Sequence, residues 1–234
     1  MGHYIDIDLD GGSVRAFVEH PSSGSGPAVV VLHEVFGVND DMRASSRELA
    51  EHGFVAIVPE LFWRQERGVA MSHWTQAEMD KAIALYQAYD RDQGAKDIAG
   101  VMQFVSTLPG VTGKVGLVGY CLGGLMTYLV SARHGADAAV AYYPGAAEDY
   151  VSEAINIRTP LMIHLGEKDE YISKDAQRAI KEAVAANPAV TVHSYAGCAH
   201  AFARHTGTRY DARAAALANG RTWQFLKDNL IDPR

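Results

Sequence analysis

Residues 115–124, VGLVGYCLGG, restrict most tightly what this chain can fold into. A strand-like run enters Gly119-Tyr120-Cys121-Leu122-Gly123, and an apolar helical stretch leaves it. Glycines two places before and two places after one residue suit a tight strand-to-helix turn. There the central residue takes a strained backbone and its neighbours' backbones come close. The central side chain then projects from the C-terminal edge of a sheet, where open α/β sheets bind ligands. The helix N-terminus beneath it favours a thiolate and a developing oxyanion. The spacing is that of the G-x-S-x-G nucleophile elbow with cysteine in place of serine, so Cys121 is the expected nucleophile. A phosphate cradle at Gly123-Gly124 is the weaker reading, because neither GK[ST] nor G-x-G-x-x-G accompanies it.

The rest of the chain repeats the alternation that the elbow requires. Apolar or alternating runs at 14–19, 28–32, 54–58, 114–118, 138–143, 161–165 and 190–195 predict strands. Between them, helical spacing predicts helices over 41–52, 75–90, 95–107, 122–134 and 173–186. A last helix is expected over 210–230, with a break at Asn219-Gly220 left open. Thr75 and Glu78 have the spacing of a capping box. Strands alternating with helices predict an α/β fold, a mainly parallel sheet covered on both faces. The 234 residues carry no internal repeat, and the turn-rich PSSGSGP at 21–27 lies too near the N-terminus to divide them, so one domain over 1–234 is expected.

Composition narrows the function. With 28 acidic against 21 basic side chains the net charge is −7, which disfavours nonspecific nucleic-acid binding. The apolar runs fall far short of the roughly 20 residues of a membrane helix, so no membrane partner is expected. The opening MGHYIDIDLD has no basic stretch before an apolar run, so no secretory leader is expected. Two cysteines cannot build a disulfide framework, and a reducing cytoplasmic setting follows. They are also too few for a structural zinc site, and H-E-x-x-H is absent, so neither metal nor cofactor is implied. Small size and an acidic surface suit a monomer.

A nucleophile needs a base, and the base needs an orienting acid. On elbow folds the chain order is nucleophile, acid, histidine, which leaves His134, His164, His193, His200 and His205 of the ten histidines. His200, in AGCAHAF just after a predicted strand, reaches the same sheet edge as Cys121, and His205 is the runner-up. The acid should leave the strand at 161–165, where GEKDE offers Glu167, Asp169 and Glu170. Asp169 is preferred because the G-x-x-D turn carries its carboxylate over the edge. Cys198 has no elbow around it and is expected to be structural.

These pieces, with LHEVFGVND at 32–40, the PEL turn at 59–61, AVAYYPG, GEKDEYI, AGCAHAFAR and AAALANGRTWQFL, resemble the dienelactone hydrolase (carboxymethylenebutenolidase) family of the α/β-hydrolase fold. The likeness spans nearly the whole chain. A cysteine elbow together with HE-[VI]-FG is specific, since most α/β-hydrolases use serine and lack that glutamate. Carried over by position, the resemblance implies a triad of Cys121, Asp169 and His200. It implies that Glu34 contacts the nucleophilic thiol and helps to generate thiolate, as a carboxylate in a dry pocket can. Val35 and Leu122 are the expected backbone N–H donors of the oxyanion hole. Arg204 matches a family arginine that binds the substrate carboxylate, a task suited to its bidentate fork. Phe36, Tyr86 and Tyr143 fall where the family lines its pocket.

The chain departs from the family at one point. A second arginine is expected near the start of the helix after Thr75, yet no arginine lies between Arg67 and Arg91, and Met79 stands about where it would be. Lys81 is a point charge elsewhere on that helix. The resemblance thus implies a hydrolase that opens a small enol-lactone such as dienelactone through an acyl-enzyme, its partner a small ester or lactone carrying a carboxylate. The missing arginine keeps open a broader carboxylesterase or thioesterase with the same triad. A ligand-binding or thiol-sensing protein on this fold is the alternative from another class.

Overall fold

The computed structural model describes residues 2–231. Strands β1 (His3–Leu9), β2 (Gly12–Glu19), β3 (Gly26–Leu32), β4 (Val55–Pro59), β5 (Val111–Tyr120), β6 (Ala138–Tyr142), β7 (Leu161–Gly166) and β8 (Val190–Tyr195) form one eight-stranded sheet in the order β1-β2-β4-β3-β5-β6-β7-β8. β1 pairs with β2, and β2 with β4, antiparallel; every other pairing is parallel. β3, β4, β6 and β7 are buried along their whole length, which is why Val, Ala, Ile and Leu dominate their sequences.

Helices α1 (Asp40–Glu51), α2 (Gln76–Ala88), α3 (Arg91–Val105), α4 (Leu122–Arg133), α5 (Lys174–Val184) and α6 (Ala212–Leu230) connect the strands. α1 and α6 lie together, with the His52 and Trp223 rings 4.0 Å apart. α3 and α4 are joined on the other side by Arg133 to Asp92 at 2.8 Å. α4 is buried from Leu122 to Ala132, as an apolar helix threaded against a sheet must be. None of the described helices is long and apolar enough to cross a membrane.

The sequence missed two elements and misplaced two boundaries. β1 was not expected: HYIDIDL alternates, but its partly exposed edge position leaves acids on the open face. A short 3-10 stretch at Ala147–Asn156 also carries no strong periodicity. α2 stops at Ala88, and Asp90 caps α3 through the amides of Asp92 and Gln93, so α3 begins four residues before the expected start at 95. Thr75 caps α2 as expected, accepting from the Glu78 amide at 3.3 Å. α6 runs unbroken through Asn219-Gly220.

Candidate active site

At the end of β5 the chain turns on Cys121, with φ 54° and ψ −112°, and enters α4 at Leu122. A positive φ at a residue with a Cβ is strained and persists only where the surroundings over-determine it. The surroundings here are the glycines. A Cβ on Gly119 would meet the Gly123 carbonyl oxygen at 2.0 Å, and one on Gly123 would meet that of Leu32 at 2.1 Å. Gly123 N–H also donates to the His33 carbonyl at 3.1 Å, which ties the elbow to the loop leaving β3.

That loop is fixed by a residue that the sequence reading passed over. His33 is fully buried, and burial lowers its pKa to about 4, against weaker support from the Glu34 carbonyl and carboxylate. As a neutral ring it accepts from the Leu61 amide at Nε2, 2.9 Å away. Its Nδ1 donates to the Glu34 carbonyl oxygen at 2.5 Å. The imidazole thus sets the backbone that presents Glu34 and Val35. Only contacts made 28 residues away in sequence reveal this.

Beyond the elbow lies a cavity of about 390 Å³. Cys121, His200, Glu34, Val35, Leu122, Phe36, Tyr86 and Arg204, all expected from the sequence, line it. Leu122 opens α4, so its N–H has no intrahelical acceptor. His200 Nδ1 donates to Asp169 Oδ2 at 2.8 Å. The other Asp169 oxygen accepts from the amides of Tyr171 and Ile172 at 2.9 and 3.0 Å, which fixes the carboxylate. Both side chains are buried, and His200 Nε2 has no hydrogen-bond partner among the described residues. Burial works against a charged imidazole, but the neighbouring Cys121 sulfur and Asp169 outweigh it and push the His200 pKa up to about 10.

Glu34 and Arg204 form a buried ion pair, Nε to Oε2 at 2.7 Å, while Glu34 Oε1 is buried without a partner. Burial opposes the guanidinium charge, and Glu34 more than restores it, so the Arg204 pKa rises. The Arg204 guanidinium carbon lies 5.2 Å from the centre of the Phe36 ring.

One expected pocket residue is displaced. Tyr143 does not line the cavity: it stands one layer behind, fully buried, with its ring 4.9 Å from that of His200. Its N–H donates to the His164 carbonyl at 2.8 Å, and its backbone takes a left-handed φ of 37° as the chain leaves β6. The other candidates lie elsewhere. His205 Nε2 sits 3.2 Å from Ser45 Oγ, facing a separate surface recess, and His164 is tied into the core by Tyr195 and Thr222. Lys81 pairs with Glu66 at 2.6 Å. Cys198 is buried, and burial pushes its thiol pKa up. Glu170 accepts from the His200 amide at 3.1 Å rather than standing free in water. Among the cavity residues not foreseen, Glu148, Tyr171 and Arg209 are polar or charged. Glu148 lies in the 3-10 stretch after β6, Tyr171 in the loop after β7 and Arg209 in the segment between β8 and α6, and position beyond a strand end was their only signal.

A mainly parallel sheet, an elbow turning into a buried helix and an imidazole–carboxylate pair over the same edge define an α/β-hydrolase-fold hydrolase. A model of the dienelactone hydrolase family matches residues 14–230. The chain belongs to the dienelactone hydrolase family. It is 36% identical over 217 residues to a carboxymethylenebutenolidase of Pseudomonas putida, covering 93% of this chain and 92% of that one. Carboxymethylenebutenolidase 1 of Cupriavidus pinatubonensis is 33% identical over 216 residues, covering 92% of each. A solved structure from Klebsiella pneumoniae, provisionally assigned as a dienelactone hydrolase, superposes with a TM-score of 0.82 at 25% identity, over 96% of this chain and 97% of that one.

Proposed function

We propose that this hydrolase opens small enol-lactones or activated esters through a thioester on Cys121. The observation that carries the reading is His200: Nδ1 is committed to Asp169, while the ring is buried in one cavity with the Cys121 sulfur, which raises its pKa. In the proposed cycle the Cys121 thiolate attacks the carbonyl carbon, and the Val35 and Leu122 N–H groups receive the oxyanion. Collapse of the tetrahedral adduct breaks the C–O bond and leaves a thioester. In a lactone the expelled enolate or alkoxide stays tethered and draws a proton from the water that hydrolyses this thioester. An enol oxygen is a leaving group that a thiolate can expel, which favours enol-lactones over amides.

Glu34 and Arg204 give the cycle a substrate trigger. A substrate carboxylate competing for the Arg204 fork loosens Glu34, whose free oxygen then accepts the thiol proton. A reducing cytoplasmic setting keeps Cys121 a thiol. The apolar wall of Met79 and Ile83 on α2, where the family carries an arginine, favours a second reading, a broader esterase of small substrates with the same chemistry.

Rapid-quench intact-mass measurement with a 4-nitrophenyl ester tests the proposal. An acyl adduct should form, map to Cys121, decay in the wild type and be absent from Cys121→Ala. Turnover without an adduct, or an adduct on Cys198, would overturn it.

A further inference from the structure

The cavity holds a second guanidinium that this cycle leaves idle. Arg209, in the loop before α6, lines the cavity. It pairs with Glu170 Oε1, and its guanidinium carbon lies 5.5 Å from the centre of the Tyr171 ring. Both neighbours reach His200: Glu170 Oε2 accepts the His200 amide at 3.1 Å, and the Tyr171 ring stands edge-on at 4.9 Å from the imidazole. Arg209 is therefore placed relative to the reacting groups by two separate contacts.

The two cavity arginines differ in what they can offer. The Arg204 side chain is 8% exposed and its Nε is spent on Glu34. The Arg209 side chain is 37% exposed, as is that of its partner Glu170. Its ion pair engages one terminal nitrogen of a fork with five donors, leaving the others for a second acceptor. A half-exposed ion pair holds its partners weakly, so an incoming carboxylate can take the place of Glu170 at little cost. On α2, Met79, Ile83 and Tyr86 line the same cavity with largely apolar side chains.

We infer that Arg209 is a specificity-determining residue of this site, binding an anionic group at the outer end of the substrate, away from the reacting carbonyl. Its ligand is a carboxylate separated from the ester or lactone carbonyl by several bonds, with the intervening chain against the α2 wall. The inference rests on the ester-hydrolysis reading above.

The test compares mono-4-nitrophenyl adipate with the uncharged 4-nitrophenyl hexanoate and reads the ratio of their kcat/KM values. Arg209→Gln is expected to lower that ratio about tenfold, mainly through KM for the adipate, the size of one partly exposed charge-assisted contact. Arg209→Lys, a point charge without the fork, is expected to fall between. Glu170→Gln frees the guanidinium and is expected to raise the ratio. An equal loss on both substrates in Arg209→Gln, or a fall in Glu170→Gln matching it, would show that Arg209 acts only through the His200 scaffold and overturn the inference. An unchanged ratio in Arg209→Gln overturns it as well. Failure of the wild type to hydrolyse either ester strikes instead at the ester-hydrolysis proposal.

Discussion

Glu34 Oε2 lies 2.7 Å from Arg204 Nε across 170 residues of sequence, and both side chains are almost wholly buried. Two charges removed from water in this way stand only because each neutralises the other. The pair joins the loop after β3 to the loop after β8, and so connects the Val35 side of the cavity with the His200 side.

Arg204→Gln leaves a buried carboxylate without its counter-ion. It is expected to lower the free energy of unfolding by about 3 kcal/mol. Adding Glu34→Gln to that variant should restore much of the loss, because the stranded charge is gone. Urea denaturation of both single variants and the double variant closes the cycle; strictly additive losses would show that the two groups are not coupled.

The sulfur should set the proton affinity of the imidazole. Burial alone favours a neutral His200, and Cys121 is the largest influence raising its pKa to about 10. Cys121→Ser removes that sulfur, so the His200 ring signal followed by NMR should titrate well below its wild-type midpoint. An unshifted midpoint would mean that Asp169 alone sets the proton affinity.

His33 should make the fold sensitive to acid. Its folded pKa of about 4 lies below the ordinary 6.5, so the unfolded chain binds the proton more readily. Its contribution is intact above pH 6.5 and is lost as the pH falls toward 4, a loss of up to about 3 kcal/mol. His33→Asn should flatten the dependence of unfolding free energy on pH across that window. A slope identical to that of the wild type would exclude His33 as its source.

The elbow glycines and the helix glycines should respond oppositely to a methyl group. Gly123→Ala forces a Cβ to 2.1 Å from the Leu32 carbonyl oxygen, so a loss of about 3 kcal/mol and of activity is expected. Gly220→Ala in α6 meets nothing within 4 Å and should gain about 0.5–1 kcal/mol from helix propensity. Thermal melts of the two variants shifting in the same direction would contradict this.

What could be read from the sequence was what is local. The elbow, the capping box at Thr75 and the buried runs of β3 and β4 are short-range patterns, each with its own steric or hydrophobic cause. The carboxylate of Asp169 and the ring of His200 were legible because each follows a strand at the same sheet edge. β1 escaped because alternating acids at a half-exposed edge do not look like a core strand. The burial of Tyr143 behind the cavity accompanies a left-handed backbone just past the end of β6, which no local pattern announces. His33, Tyr171 and Arg209 were not legible, because what matters in each is a partner brought close only by the folded topology.

The crowding at Gly119 and Gly123 divides this corner of the molecule into a hinge and a payload. Substitutions at the hinge meet backbone, which cannot give way, whereas the side chain of residue 121 opens onto the cavity. The atom proposed to attack could therefore be exchanged, oxygen or selenium for sulfur, with the surrounding architecture left as it is. Redesign of the chemistry and preservation of the scaffold become separable problems here, one side chain wide.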